Sequence, residues 1–454
     1  MPTRRQTTAI IAATCMAPSL AWPQSDDMYQ RLRDLINGTP QDFYDALAAI
    51  EQRGNSDMAA GLIVSMRFTN GPTGAIAQVL SKITGETAAK SWADWMLWQE
   101  RHPDVTPHPS FIDFKRDIFL AIDPNFDVFL QPEHLRSDAM DIRLEEITWG
   151  GVRKDGIPSL DNPDLIDGSD ADYLRDDDLI FGVSINGDAR AYPLRIMGWH
   201  EMFNDVIGGV PVALAYCTLC GSGILFETQI ENRQDPLVFG SSGFLYRSNK
   251  LMFDRETHSL WNQFTGRPVS GSLAHSGITL QQRPIVIDTW KNWQAANPTT
   301  RVLSIRTGHK RDYGSGVVYN DYFASPDLMF PVDVDQTKLQ QKDYVFGIRQ
   351  FGGAKAWPLS AFQTTHIIND DILGRQLVLI GDAETRTVRA FDRGTLQFSG
   401  TKDALLSEDG TQWTVSEDAM TSASGQKLPR VAGHIAYWFA WNSYLAAESE
   451  LYEP

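Results

Sequence analysis

The stretch of sequence that decides the fold occurs twice, as Phe181-Gly-Val-Ser-Ile-Asn-Gly-Asp-Ala-Arg-Ala-Tyr-Pro-Leu194 and as Phe346-Gly-Ile-Arg-Gln-Phe-Gly-Gly-Ala-Lys-Ala-Trp-Pro-Leu359. The two copies lie 165 residues apart, and their ungapped match continues to Phe226 and Phe391 with 13 identities in 46 positions. Short alternating runs broken by Gly, Asp, Asn and Pro surround both copies and predict β-strands. We therefore predict an internal duplication with two β-rich lobes, 142–340 and 341–454, the second being a degenerate copy of the first.

The chain that precedes the lobes has a helical pattern. Thr39-Pro40 reads as a cap followed by proline at the first helical position, Phe43, Leu47 and Ile50 recur at helical spacing, and Gly54 closes the segment. Similar short stretches continue to about residue 101. We predict a helical domain of antiparallel hairpins at 22–110, a linker at 111–141, and an α+β fold class for the whole chain.

The amino terminus reads as an export signal. Arg4 and Arg5 precede an apolar run from Ala9 to Leu20 and a small-residue cleavage site at Ala21, which is the layout of a signal peptide over 1–21. We expect a periplasmic or secreted protein, by either the general or the twin-arginine export route. No later run reaches about 18 apolar residues, so we expect no transmembrane span.

The formal net charge of −17 argues against nucleic acid as a partner. A small molecule or another protein remains the expected partner class, and the sequence does not choose between them.

Only Cys217 and Cys220 would remain after loss of Cys15 with the signal, and they form a Cys-x-x-Cys motif. In the second copy, Cys217 aligns with Asp382 and Cys220 with Thr385. His200 and Glu201 likewise align with Thr365 and His366. Residues kept in both copies, such as Asn204-Asp205 and Asn369-Asp370, are expected to serve the shared backbone as turns or caps. The differing residues point to a site in lobe one alone.

The Cys-x-x-Cys motif permits three interpretations. A thioredoxin-like site would open a helix, whereas Gly221 and the apolar residues after it predict a turn into another strand. Strand, Cys-x-x-Cys-Gly, strand is typical of a metal knuckle, so our leading hypothesis is a copper or zinc site with Cys217, Cys220 and His200 as ligands. The third interpretation is a local disulfide that pins a turn.

Three further residues are candidates for catalysis: Glu201, Asp254 and Arg255. Glu201 is a candidate general base or a partner that orients His200. Asp254 and Arg255 lie in a dense polar and aromatic run, where Met252 and His258 are also candidate ligands. The alternative for this run is a hairpin in which Asp254 and Thr257 make turn hydrogen bonds.

Several ordered motifs occur along the chain: Gly187-Asp-Ala-Arg-Ala-Tyr-Pro-Leu194, Trp199-His-Glu201, Asn204-Asp205, Tyr216-Cys-Thr-Leu-Cys-Gly-Ser222 and Met252-Phe-Asp-Arg-Glu-Thr-His-Ser-Leu-Trp261. Together they resemble a widespread family of exported bacterial and archaeal proteins that is catalogued as a domain of unknown function. The resemblance covers roughly 142–450 and implies that His200, Glu201, Cys217, Cys220, Asp254 and Arg255 belong to the family pattern. It implies no reaction. Thr218 and His258 depart from that pattern, where the family often has proline and glycine.

We therefore expect an exported protein with a Cys-x-x-Cys/His site that binds copper or zinc and has redox activity. The alternatives are a non-catalytic binding or scaffold protein with a structural disulfide, and a thiol-disulfide oxidoreductase.

Overall fold

A computed structural model describes residues 27–453 except 232, 402–403 and 446–447. The expected signal peptide lies outside the described residues. The fold is α+β, as predicted: helices occupy the amino-terminal quarter and strands dominate the rest. Each helix in the described part of the chain is too short or too polar to span a bilayer.

From residue 27 onward, the described amino-terminal region contains six α-helices: α1 Asp27–Asn37, α2 Pro40–Arg53, α3 Ala59–Phe68, α4 Thr73–Thr84, α5 Trp92–Arg101 and α6 Ser110–Ile122. The predicted cap of α2 is confirmed, because Thr39 and Asp42 form a reciprocal capping box and Gly54 ends the helix at φ 67°. Helix α6 and two 3₁₀ turns lie within the stretch that we expected to be a linker. The helices share their core with Phe244 and Phe253 of lobe one.

Up to residue 303, lobe one contains fifteen strands and the α-helices α7 and α8 within the described chain. They are β1 Ile147–Trp149, β2 Leu160–Asp161, β3 Leu165–Asp167, β4 Leu179–Ile185, β5 Asp188–Pro193, α7 Leu194–His200, β6 Met202–Ile207, β7 Val210–Cys217, β8 Ser222–Glu227, β9 Phe239–Tyr246, β10 Asn249–Asp254, β11 Leu260–Asn262, β12 Arg267–Ser270, β13 Gln282–Arg283, β14 Val286–Thr289, α8 Trp290–Ala296 and β15 Arg301–Leu303. They form three five-stranded sheets, with orders β1-β9-β10-β11-β12, β13-β8-β7-β6-β2 and β14-β4-β5-β15-β3. A connector over 304–343, containing the short helix α9 Asn320–Ala324, then leads to lobe two.

Lobe two consists of β16 Tyr344–Gln350, β17 Gly353–Pro358, β18 Ile367–Ile372, β19 Arg375–Asp382, β20 Thr387–Asp392, β21 Phe398–Thr401, β22 Ala404–Ser407, β23 Gln412–Val415, β24 Ala419–Ser422, β25 Lys427–Val431, β26 His434–Tyr437, α10 Trp438–Leu445 and β27 Ser449–Leu451. A four-stranded sheet has the order β26-β16-β17-β27, and an eight-stranded sheet has the order β18-β19-β20-β25-β24-β23-β22-β21.

The structure supports the duplication strand by strand. Strands β4 to β8 and strands β16 to β20 have the same lengths, and both ends of each pair differ by 165 residues. The same packing recurs as well: a side chain added at Gly182 would overlap the Trp293 ring, and one added at Gly347 would overlap the Trp441 ring. The two lobes therefore share a backbone that includes a helix packed over the first strand of each copy.

The paired Asn-Asp residues do not form turns, contrary to the expectation. Asn204 lies within β6 and exchanges hydrogen bonds with the backbone of Phe239, and Asn369 does the same from β18 with Phe398. The adjacent carboxylates bind Arg190 and Tyr192 in lobe one, and Lys355 and Trp357 in lobe two. These residues join neighbouring strands, which is a long-range role that local sequence does not reveal.

Candidate functional site

Cys217 and Cys220 lie at the two ends of a tight turn between β7 and β8. Cys217 is the last residue of β7 and pairs with Ser222, and Gly221 has a φ of 60°. The predicted strand-turn-strand context is confirmed. The two cysteines form a disulfide with 5.2 Å between their Cα atoms, and both are buried, Cys217 being 2% exposed and Cys220 fully enclosed.

The sulfur of Cys220 faces hydrogen-bond acceptors. Its Sγ lies 3.1 Å from the Asn249 side-chain oxygen and 3.5 Å from the Ser248 carbonyl oxygen. A disulfide sulfur carries no proton, so neither acceptor receives a hydrogen bond from it in this state. A thiol at Cys220 would have a proton to donate to these oxygens. The surroundings of Cys220 are therefore better suited to a protonated thiol than to a thiolate.

These acceptors are presented by an unusual turn between β9 and β10. Arg247 and Ser248 have φ values of 46° and 65°, a left-handed conformation that side chains other than glycine seldom adopt. Arg247 Nε is fixed by the Glu146 carboxylate at 2.6 Å. A strained backbone of this kind persists only where the surrounding structure holds it in place. Here the turn places the Ser248 carbonyl and the Asn249 side chain against the sulfur of Cys220.

A buried ion pair adjoins the same turn. Lys250 Nζ lies 3.3 Å from Glu201 Oε2, and the two side chains are 5% and 8% exposed. Thr218, between the two cysteines, donates its hydroxyl to Glu201 Oε1 at 2.7 Å. Tyr319 of the connector donates to the same oxygen at 3.4 Å. The carboxylate of Glu201 is thereby connected to the Cys-x-x-Cys turn through a single side chain.

Burial lowers the pKa of the Lys250 ammonium below its ordinary value of 10.5, and the Glu201 carboxylate opposes part of this shift. Removing two charges from water is costly, and such pairs are often no more stable than apolar residues of similar volume. Stabilisation of the fold alone therefore does not explain this ion pair. Its ammonium and carboxylate groups are a proton donor and a proton acceptor close to the Cys-x-x-Cys turn.

His200 is directed elsewhere. Its Nδ1 lies 2.8 Å from the Pro158 carbonyl oxygen and its Nε2 lies 2.6 Å from the Tyr313 hydroxyl. Burial lowers the pKa of His200 to about 4, so the ring is neutral at neutral pH. Both ring nitrogens are thus engaged in a network that continues from Tyr313 to Thr307. Glu201 contacts Thr218, Lys250 and Tyr319, and no hydrogen bond of the described structure joins it to His200.

The structure does not bring the predicted metal ligands together as a group. In the described part of the chain, no three His, Cys, Asp or Glu side chains are placed so that they could hold a metal ion. In the disulfide state the two sulfurs are bonded to each other and His200 is engaged with Pro158 and Tyr313. Metal binding by Cys217, Cys220 and His200 stays a prediction that would require reduction first.

Asp254 and Arg255 lie at the far end of β10 from Asn249, five residues away and roughly 17 Å along the strand. Asp254 is enclosed and accepts hydrogen bonds from Thr257 and from the Trp261 indole. Arg255 makes a two-pronged contact with Asp155. Asp254 makes the turn hydrogen bonds with Thr257 that the hairpin alternative expects, whereas Arg255 binds a residue 100 positions earlier in the chain. The structure does not bring either residue to the cysteines.

The connector and lobe two cover the turn. Tyr322 donates its hydroxyl to the Leu219 carbonyl at 2.7 Å, and the backbone N–H of Tyr437 donates to the Cys220 carbonyl at 2.8 Å. A side chain at Gly221 would meet Tyr344 and Tyr437, whose rings stack on each other. The site is therefore completed by residues far along the chain from the cysteines.

Sequence reasoning missed Lys250, Asn249, Thr218 and Tyr319 as site residues. One signal was present: Lys250 precedes Leu251-Met252-Phe253 in a run of six residues that are all buried in β10. A lysine in such a strand needs a buried partner. The identity of that partner depends on packing between two sheets.

The sequence matches a protein family of unknown function, DUF3179, over residues 154–448. This match covers more than half of the chain, so the protein belongs to that family. Comparison with curated proteins and with solved structures found no match.

Proposed function

We propose that Cys217 and Cys220 form a redox-active dithiol-disulfide pair, and that the protein is a thiol-dependent oxidoreductase. The observation that carries this proposal is the buried Glu201–Lys250 pair, held against the Cys-x-x-Cys turn by Thr218. A disulfide that closes so short a loop contributes modestly to stability, and it needs no buried charges beside it. A reaction that transfers electrons and protons would use both the disulfide and the buried ion pair.

The two sulfurs would have different roles in the exchange. An external thiol attacks Cys217 Sγ, the S–S bond breaks, and the electron pair leaves on the sulfur of Cys220. The proton lost by the attacking thiol ends on Cys220, where Asn249 and Ser248 accept the new S–H. A second thiol then attacks the mixed disulfide at the external sulfur. This step releases an external disulfide and leaves both cysteines reduced.

The test is equilibration with dithiothreitol and glutathione buffers of known potential, followed by thiol alkylation and mass measurement. We expect a reversible two-electron transition in the folded protein, with Lys250→Met shifting the midpoint potential and its dependence on pH. Lys90, a lysine of the amino-terminal region, provides the matched control Lys90→Met. A pair that is reduced only when the protein unfolds would contradict the proposal and favour the scaffold alternative.

Copper or zinc binding by the reduced pair is our second proposal. It is supported by the turn between β7 and β8, which holds the two cysteines with 5.2 Å between their Cα atoms in the strand-turn-strand layout of a metal knuckle. Binding would displace the proton of the Cys220 thiol. Metal content measured after anaerobic reduction should reach one equivalent and fall in Cys217→Ser. His200→Thr tests the predicted third ligand, because it removes the imidazole while both sulfurs remain. Metal content should fall in this variant if His200 is a ligand. Metal retained in Cys217→Ser would contradict this assignment.

We also propose export, on the strength of the 1–21 pattern alone. Amino-terminal sequencing of protein from the periplasm or the medium should begin at Trp22, and an intact Met1 in that fraction would contradict it.

A further inference from the structure

A second feature lies on the other side of strand β7, at the seam between the lobes. A cavity of about 250 Å³ is bounded there by Tyr216 of β7, by Leu194 and Gly198 of α7, and by Tyr344 and Arg386 of lobe two. This volume is below the about 300–1,000 Å³ of sites for drug-sized ligands. The cavity therefore suits a small molecule.

Arg386 is the cation of this cavity. Its Nη1 donates to the Tyr344 hydroxyl at 2.8 Å, and its guanidinium lies 4.4 Å from the centre of that ring. Among the described residues it has no carboxylate partner, in contrast to Arg389, which binds Asp288 and Glu417. A guanidinium bound only by a hydroxyl and a ring face retains donors for an anion.

The duplication makes the position of Arg386 more informative. Arg386 is the lobe-two counterpart of Gly221, and both residues have positive φ, 57° and 60°. Glycine adopts this conformation without cost, whereas a side chain there is strained by about 1–3 kcal/mol. Lobe two therefore carries an arginine where the backbone favours glycine, and that arginine reaches the cavity.

The rest of the wall is compatible with an anion. Tyr216 lines the cavity, and its hydroxyl has no hydrogen-bond partner among the described residues, so it can donate to a ligand. The buried acid in the wall, Asp178, is already bound by Arg195 at 2.8 Å and by Ser315 at 3.1 Å. Two donors thus face the space. Its buried carboxylate is paired, and the second acid of the wall, Asp177, is exposed to solvent.

We propose that the seam cavity binds a small anionic molecule with a carboxylate group, which Arg386 holds and the Tyr216 hydroxyl supports. The aromatic rings of Tyr344 and Phe323 in the same wall favour an unsaturated or aromatic body for the ligand. This binding stands apart from the redox proposal, since it requires neither cysteine to be reduced. Tyr344 links the two places, because its ring also packs against Gly221 beside the disulfide.

The test uses benzoate as the probe and benzamide as its neutral counterpart, with calorimetry on the full chain. We expect saturable benzoate binding in the millimolar range or tighter, with benzamide at least about tenfold weaker. Arg386→Gln and Arg386→Gly should both abolish the preference for benzoate. Arg386→Gly restores the residue of lobe one and relieves the left-handed backbone, so its melting temperature should equal or exceed that of the wild type.

Arg375→Gln serves as the matched control, because Arg375 is an exposed lobe-two arginine that pairs with Asp392 and lies outside the cavity. It should leave benzoate binding unchanged. Equal affinity for benzoate and benzamide would overturn the proposal. So would unchanged binding in the Arg386 variants, or no saturable binding of benzoate.

Discussion

Lobe one and lobe two have the same five strands at the same spacing, yet their equivalent turns differ in every residue that bears on chemistry. In lobe one the turn after β7 holds Cys217 and Cys220, is enclosed, and adjoins the Glu201–Lys250 pair. In lobe two the turn after β19 holds Asp382 and Thr385 and borders a cavity of about 510 Å³. The shared backbone supplies the turn in both lobes, and the cover from Tyr322 and Tyr437 distinguishes the turn of lobe one.

The largest effect should come from breaking the ion pair that only lobe one has. Lys250→Met leaves the Glu201 carboxylate buried and unpaired, which we expect to cost about 3–5 kcal/mol of unfolding free energy. Urea denaturation measures this loss. The double variant Glu201→Gln/Lys250→Met should regain part of it, because neither charge is then buried. A double variant no more stable than Lys250→Met would show that the pair is not coupled.

A smaller effect should follow from the histidine that lobe one has where lobe two has threonine. The pKa of His200 is lowered from 6.5 to about 4 in the folded protein, so the unfolded chain takes up the proton first as the pH falls. Its contribution to stability is full above pH 6.5 and is lost progressively as the pH approaches 4, by about 3 kcal/mol in total.

His200→Thr introduces the residue of lobe two and should reduce the loss of stability between pH 7 and 4 by about that amount. Denaturant midpoints measured at several pH values check this. His434, whose pKa burial lowers to about 3, remains in both proteins and provides the common background. Identical pH dependence in the two proteins would contradict the assignment to His200.

The smallest effect should be shared by the two lobes. Gly182→Ala and Gly347→Ala each place a methyl group against a buried tryptophan ring, Trp293 or Trp441, and each should cost about 1–3 kcal/mol. Thermal unfolding compares them with Gly74→Ala, where an added methyl group meets no atom within 4 Å. That control should be neutral or slightly stabilising. A large cost in one lobe only would weaken the claim that the lobes have equivalent packing.

The sequence was sufficient to predict what depends on local pattern or on self-similarity. The repeat at 165 residues predicted the two sets of strands, and the glycine after Cys220 predicted a turn between strands. The direction of His200 was not predictable, because its ring binds Pro158 and Tyr313, which are 42 and 113 residues away. The same limit applies to Lys250 of β10. Its partner Glu201 precedes β6, a strand of another sheet, and the two side chains meet only when the sheets pack together.

The hydrogen bond from the Tyr437 backbone to the Cys220 carbonyl makes the turn of lobe one depend on lobe two. The second copy has no cysteine at the equivalent position, yet Tyr437 at the end of its strand β26 donates a hydrogen bond to the backbone of the first copy's turn. If lobe one were produced without lobe two, the Cys220 carbonyl and Gly221 would be exposed to water. Lobe two thus forms part of the enclosure of the Cys-x-x-Cys turn, so a substitution at Tyr344 or Tyr437 changes the surroundings of cysteines that belong to the other lobe.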